Sequence, residues 1–391
     1  MSGTAADGTG IPIVSSLRLF LSIDIVGSTR FKQRPPHMEH DSVTDWWVAP
    51  FLSFYRQSVD GVAEVWKRKT SAAAKLRPAL PLGSAPEYWK GAGDEVLFTK
   101  VVRSPQDAVL AIGTMIEVME RHRVQFRKAP HTERLNVKGT AWLAGFPINN
   151  VAIPIEHQPS EAIEEIDDPV TRNFRLLANG ATSTAAAYDF IGPSIDLGFR
   201  LREKSTPRRL MVSADLAWLL ACAEELVSKA HRAECQDLAL PGWGYGGQQS
   251  LRGIMDEDPY PIIWLRSEDD SLLDVAEQRL RRESHRIRTD AVKGFCALFL
   301  NGESAIQTRP YISDCDIESL RTMSAAHQER LRALARYVNG STIQVSTVAA
   351  TDSRTGEIPD AARNFGRKAV DALARKPAPP RGKRPAPDGK R

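Results

Sequence analysis

Asp24 interrupts an apolar run, RLFLSIDIVGSTRFK (residues 18 to 32), where Gly, Ser and Thr follow close behind it. A carboxylate there has two readings. It can cap the turn that ends a strand, since Asp, Gly, Ser and Thr are ordinary turn residues. Alternatively it can hold a metal while the amides of Ile25 to Thr29 form a concave nest for phosphate oxygens. A second carboxylate is needed to choose, and Asp94 in KGAGDEVLF supplies it. Two aspartates at the tips of apolar strands, with glycines beside each, suit a hard divalent cation that prefers oxygen ligands.

For the two to meet, their elements must lie side by side. EYWKGAGDEVLFTK (87 to 100) has short apolar arms about Gly-Ala-Gly-Asp and predicts a β-hairpin beside the strand that carries Asp24. DSVTDWWVAPFLSFYRQSVDGVAEVWKRK (41 to 69) has apolar residues at helical spacing, interrupted at Pro50, and predicts one or two helices; residues 70 to 86 predict a connection. Ser104 and Pro105 open a further helix as cap and first residue. RLNVKGTAWLAGFPI (134 to 148) predicts a strand and EHQPSEAIEEIDDP (156 to 169) a surface insertion. DFIGPSIDLGFRLRE (189 to 203) predicts a turn and a helix. RRLMVSADLAWLLACAEELV predicts a strand and a helix capped by Ser213, and PYPIIWLR (259 to 266) a closing strand. The order β, α, hairpin, α, β, α, β implies an α+β fold with helices on one face of a sheet. Beyond Glu268, residues 271 to 292 and 316 to 338 predict long charged helices; Leu320, Met323, Leu331 and Leu334 form an apolar stripe on the second.

At 391 residues and 42% hydrophobic content the chain can bury a sizeable core. No run of about 18 apolar residues occurs, and residues 1 to 16 lack the form of a signal peptide, so a cytoplasmic protein without a membrane span is expected. Cys222, Cys235, Cys296 and Cys315 have no metal-ligand spacing and are expected as inert thiols. The net charge of +4 resides in the Pro-rich tail RKPAPPRGKRPAPDGKR (375 to 391), which carries +6 and leaves −2 for the rest. The body is therefore no basic nucleic-acid-binding surface, and the tail is expected to be solvated.

FLSIDIVGST, KGAGDEVLF, DFIGPSIDLGFRL and LRGIMDEDPYPIIWL resemble, in that order, the motifs of class III nucleotidyl cyclases. KGTAWLAGFP and the long C-terminal extension further resemble the pyrimidine cyclases of the Pycsar antiphage systems. The resemblance implies a ferredoxin-like, palm-like cyclase sheet over residues 17–267, after a flexible N-terminus (1–16). A mainly helical extension (268–374) and a disordered tail (375–391) follow. It implies Asp24 and Asp94 as metal ligands, with Ile25, for two Mg²⁺ or Mn²⁺ ions, and Gly27, Ser28 and Thr29 as the phosphate-cradling turn. Lys90 and Asp189 match base-contacting positions, and Arg200 the arginine that steadies charge on the α-phosphate, a role suited to a preorganised cation. Arg252 stands where the family usually has a phosphate-binding lysine, and Arg can grip phosphate bidentately. Asp196 stands where most relatives have a ribose-orienting asparagine; a carboxylate accepts but does not donate when ionised. A homodimer with shared active sites is implied, as are a nucleoside triphosphate substrate and a separate cyclic-nucleotide-gated effector.

Lys90 and Asp189 offer one donor and one acceptor, which adenine, uracil and cytosine can all use. Trp89 and Trp142 are expected as packing residues rather than base platforms; the Pycsar-like segments favour a pyrimidine, whose smaller ring would let bulky neighbours such as Trp142 or Phe146 close the pocket that a purine needs open. The expected reaction is therefore UTP to cyclic UMP and pyrophosphate, a second messenger in antiphage defence, with CTP second and ATP third. A diguanylate cyclase of the GGDEF type is echoed by GAGDEVLF, but the DxDxFK spacing is lacking. The rival of another class is a silent cyclase-like domain that only binds a nucleotide or a partner.

Overall fold

The computed structural model describes residues 13, 15–33, 46–76, 82–154, 188–226, 239–266, 276, 287–302, 309–312, 315 and 317–352. The expected insertion at 156–169, the tail, Cys235 and most of the predicted helix at 271–292 lie outside them.

Alternation along β1 (Ser16–Val26) decides how the molecule is layered. Leu17, Leu19, Leu21, Ile23 and Ile25 point into the main core, whereas Phe20 joins a second cluster on the opposite face, the face that Ser22 and Asp24 share by the two-residue period of a strand. After the short α1 (Ser28–Gln33) comes α2 (Val48–Leu76). Pro50 does not interrupt α2, because it stands in the first turn, where the amide needs no intrahelical partner. The helix also runs into the expected connection at 70–86.

The hairpin forms as β2 (Glu87–Ala92) and β3 (Glu95–Val101), with Gly93 and Asp94 as its turn. α3 (Pro105–Lys128) begins as expected, Asp107 N donating to Ser104 Oγ at 3.1 Å. β4 (Asn136–Phe146) pairs with β1 along its whole length, from Ser16 opposite Phe146 to Val26 opposite Asn136. Then follow β5 (Val151–Pro154), β6 (Tyr188–Ile191), α4 (Pro193–Arg202), β7 (Arg209–Val212), α5 (Ala214–Leu226), β8 (Trp243–Gln249) and β9 (Tyr260–Arg266). The main sheet has seven strands in the order β2-β3-β1-β4-β7-β9-β8, and β5 pairs with β6 in a ladder of its own. β8 had no signature in the sequence: WGYGGQQ lacks apolar alternation and is held as a strand by pairing with β9.

The fold is α+β, with α2, α3 and α5 layered on the Leu19 face of the sheet. The opposite face is also covered, by α4. Its Leu197 and Leu201 pack with Met211 and Tyr260, its Ile195 with Phe20 and Trp142, and Gly198 lies against the Trp142 ring. A Cβ at Gly198 would stand 2.2 Å from that ring, so Gly198→Ala is expected to destabilise the protein. The loss should be about 1–3 kcal/mol, the usual effect of overpacking a close contact. Urea unfolding checks it; an unchanged midpoint would mean that helix and ring are not in contact.

α6 (Thr289–Leu300) adds Val292, Cys296 and Leu300 to the main core. The predicted helix at 316–338 is two helices, α7 (Glu318–Arg321) and α8 (Ala325–Asp352), parted at Thr322–Ser324. The break divides the apolar stripe: Leu320 is fully buried, whereas Leu331 and Leu334 are half-buried. Cys222, Cys296 and Cys315 are buried, and burial pushes the Cys296 thiol up to about 12, as suits an inert thiol. No helix among the described residues is long and apolar enough to cross a membrane.

Candidate active site

β1 and the β2–β3 hairpin bring the two aspartates to the same end of the sheet. Asp24 stands opposite Glu95 in the β1–β3 register and opposite Lys138 in the β1–β4 register. Just beyond, Ile25 N donates to Asp94 O at 3.1 Å. In an antiparallel ladder the amide and carbonyl of one residue face the same neighbour, so the Ile25 carbonyl also faces the turn that carries Asp94. The expected nest is correspondingly shorter. The Ile25 amide is already bonded and β1 extends to Val26, which confines the cradle to Gly27, Ser28 and Thr29 at the start of α1. Gly27 makes that turn with φ +87°, a backbone region where a side chain is strained.

The side chains around these aspartates fit a hard cation. Burial pushes the Asp24 carboxyl above its ordinary range; Lys138 opposes this, and Asp94 and Glu95 add to it. Lys138 Nζ lies 3.3 Å from Asp24 Oδ2. A carboxylate made unfavourable by burial and anionic neighbours is one that a divalent cation stabilises. Asp94 is held from the other side, by a hydrogen bond that Ser28 Oγ donates to its Oδ2. Tyr55, from α2, donates to Gly93 O at 3.0 Å and lies 3.2 Å from Glu95 O, clasping the turn about Asp94. Among the described residues no three His, Cys, Asp or Glu side chains converge. Asp24, Asp94 and the Ile25 carbonyl are thus the donors this chain offers, and phosphate oxygens would complete the coordination.

A second group forms about Lys90 and Asp189, residues 99 positions apart whose Nζ and Oδ1 meet at 2.7 Å. Two local features bring them together. β2 carries a bulge between Tyr88 and Lys90, so that Trp89 is the extra residue and its ring turns into the aromatic cluster with Phe20 and Phe190. The Trp89 indole N–H then donates to Tyr188 O at 3.0 Å, tying β2 to β6 one residue before each partner. Asp189 is a strand residue in β6, where a turn was expected, and its Oδ1 also accepts the Phe190 amide at 2.9 Å. Lys90 Nζ lies 4.2 Å from the Trp89 ring centroid. Both charged side chains remain more than a third exposed, at 37% and 40%.

Arg200 and Asp196 stand four residues apart on α4, which places them on one helix face; Asp196 is exposed, and the Arg200 side chain is 43% exposed. Arg200 reaches Glu203 at 3.5 Å. Arg252 is an exposed turn residue between Leu251 and Ile254, both of which pack with α4 residues Leu197 and Leu201. Among the described residues no hydrogen bond or ion pair joins Arg200, Asp196 or Arg252 to Asp24 or Asp94, nor to the Lys90–Asp189 pair.

Trp142 and Phe146 do not wall a base pocket. Trp142 is 1% exposed, stacked on Phe20 with ring centroids 5.4 Å apart, and Phe146 is buried in the same cluster. The burial of Trp142 follows from Gly198, which lets α4 close down on the ring. Sequence reasoning also missed Lys138, Tyr55 and Glu95, while Arg202, readable as a helix residue able to form a surface pair, does pair, with Glu95. Lys138 had a signal, a charge in an otherwise strand-like run; Tyr55 and Glu95 had none that separates them from ordinary surface or helix residues.

No family model and no curated protein matches the chain. Among solved structures it is similar to the adenylyl cyclase CyaB from P. aeruginosa, at 14% identity over 67% of this chain and 97% of that one, TM-score 0.36. It is similar to the guanylate cyclase domain of RhGC from Catenaria anguillulae in complex with GTP, at 11% identity over 65% and 98%, TM-score 0.36. It is also similar to the non-canonical dimeric guanylyl cyclase domain of the RhoGC fusion protein from the aquatic fungus Blastocladiella emersonii, at 11% identity over 65% and 99%, TM-score 0.35.

Proposed function

We propose that this chain is a nucleotidyl cyclase that turns a nucleoside triphosphate into its 3′,5′-cyclic monophosphate and pyrophosphate. The observation that carries the reading is the meeting of Asp24 and Asp94 at the β1 end, joined through the Ile25 amide at 3.1 Å beside the Gly27–Thr29 turn. In the reaction the ribose 3′-oxygen bonds to the α-phosphorus and the bond from that phosphorus to the oxygen bridging to β breaks. Pyrophosphate leaves with the electron pair, and the hydroxyl proton passes to solvent.

Asp24, Asp94 and the Ile25 carbonyl would hold Mg²⁺ or Mn²⁺. When bound, such ions neutralise phosphate charge and acidify the attacking hydroxyl. The chain's own groups do the rest. The amides of Gly27, Ser28 and Thr29 face the phosphates at the start of α1, and Lys138 is free to turn from Asp24 toward phosphate oxygen once a cation takes its place. Lys90 and Asp189 read the base edge with one donor and one acceptor, while Arg200, Asp196 and Arg252 bind the α-phosphate, ribose and phosphates. Among the described residues no hydrogen bond or ion pair joins these groups to Asp24 or Asp94 within one protomer, which supports a homodimer in which each site draws on two copies.

For the base we propose uracil first, cytosine second and adenine third. The likeness of KGTAWLAGFP to the antiphage pyrimidine cyclases supports this order; the Lys90–Asp189 pair serves all three bases, and with Trp142 and Phe146 buried, pocket size does not choose. A site that pairs its polar groups with one base leaves them unpaired with another, which sharpens the choice. The product would then act as a second messenger on a separate effector in antiphage defence. The test is a four-way competition with UTP, CTP, ATP and GTP at equal concentration and Mn²⁺, products identified by mass. Cyclic UMP is expected to dominate. Dominant cyclic AMP rejects the pyrimidine assignment, and no cyclic product from any of the four leaves a domain that only binds nucleotide.

A further inference from the structure

Glu95 has no assigned role, yet it is a carboxylate with only 2% of its side chain exposed, next in sequence to Asp94 and opposite Asp24 in the β1–β3 register. Both of its oxygens are engaged. Ser22 Oγ, from the same face of β1, donates to Oε1, and Arg202 Nη1, from the last turn of α4, donates to Oε2. Arg202 is itself fixed, with its guanidinium 5.7 Å from the Phe199 ring centroid.

An ion pair that buries its carboxylate but leaves its cation 37% exposed contributes little to stability once desolvation of the carboxylate is counted, so its presence between these two elements calls for another reason. The layout gives one. Across the α4 face of the sheet, Lys138, Asp24, Glu95 and Arg202 follow in the order plus, minus, minus, plus, two neighbouring carboxylates each with its own cation. The Glu95–Arg202 bond also ties the end of α4, two residues past Arg200, to the first residue after the Asp94 turn.

We propose that Glu95 and Arg202 are a positioning pair for the cation site. Arg202 cancels the Glu95 charge so that the cation is set by Asp24 and Asp94, and the bond fixes α4, with Asp196 and Arg200, against the hairpin. Glu95 is not itself a metal ligand, since Ser22 and Arg202 occupy its oxygens. The inference rests on the cation site proposed above.

The test is Mn²⁺ titration by electron paramagnetic resonance, without nucleotide, on the full-length protein and three variants, with turnover measured separately. Glu95→Gln leaves Arg202 uncompensated near the site and is expected to weaken Mn²⁺ binding about 10-fold, the lower end of what partners behind metal ligands contribute. Arg202→Met leaves Glu95 uncompensated and is expected to tighten it by a similar factor. Glu95→Gln with Arg202→Met removes both charges and should return Mn²⁺ affinity to that of the parent, while kcat stays low because the tie to α4 is gone and KM moves little. A purely structural pair would not move Mn²⁺ affinity in opposite directions. Equal affinity in the parent and Glu95→Gln overturns the proposal. In Glu95→Gln the amide oxygen can still accept from Arg202 while the amide nitrogen donates to Ser22 Oγ, so this variant keeps the packing and decides the matter even where Arg202→Met does not fold. Absence of any Mn²⁺ binding by the parent overturns the cation site itself, and normal Mn²⁺ binding without turnover overturns the cyclase function while leaving the pair testable.

Discussion

Asp94→Asn is expected to reduce cyclisation on the order of 10² or more, because it removes one of two charged cation ligands while leaving the fold in place. The structure explains why the fold should survive. Asp94 lies in the hairpin turn, its backbone carbonyl still accepts from Ile25 N, and an amide oxygen can still accept from Ser28 Oγ. The turn is held independently by Tyr55, through Gly93 O. Asp24→Asn should lose activity to a similar degree, although it also leaves Lys138 without its partner at 3.3 Å. Thermal melting of each variant beside product formation with Mg²⁺ is the check. A folded Asp94→Asn protein with near-normal turnover would falsify the assignment of the carboxylates.

Mixing two dead variants should bring activity back. Arg200→Ala is expected to be inactive for want of the cation that steadies the α-phosphate, and Asp24→Asn for want of a metal ligand. Within one chain Arg200 is half-buried on α4, bonded to Glu203 rather than to either aspartate. If each site of a homodimer takes its carboxylates from one copy and Arg200 from the other, a mixed dimer keeps one intact site. Random exchange of equal amounts makes half the dimers mixed, so recovery should reach about one quarter of the parent activity. Labelled subunits establish whether exchange has occurred; exchange without recovery refutes the shared site.

Much of this arrangement is local in origin and could be read along the chain. Alternating apolar residues around Asp24 and the Gly-Ala-Gly-Asp turn specify β1 and the hairpin, because side-chain period and turn chemistry act over a few residues. Ser104 and Pro105 start α3 for the same reason. The roles proposed for Lys90, Asp189, Arg200 and Arg252 rest only on likeness to a family, since no local rule distinguishes them from solvated charges. Other features depend on residues far apart in sequence and could not be read locally. The bulge at Trp89, the strand β8 and the pairing of β5 with β6 arise from partners that complete a ladder or fill a core, not from propensity. Close approach of α4 at Gly198 buries Trp142 as packing, which removes it as a neighbour able to close a base pocket. The charges that surround the aspartates, Lys138, Glu95 and Arg202, acquire their meaning in the same way: electrostatic interaction follows distance in space, and only the register of β1 with its two neighbours and the docking of α4 make those distances short.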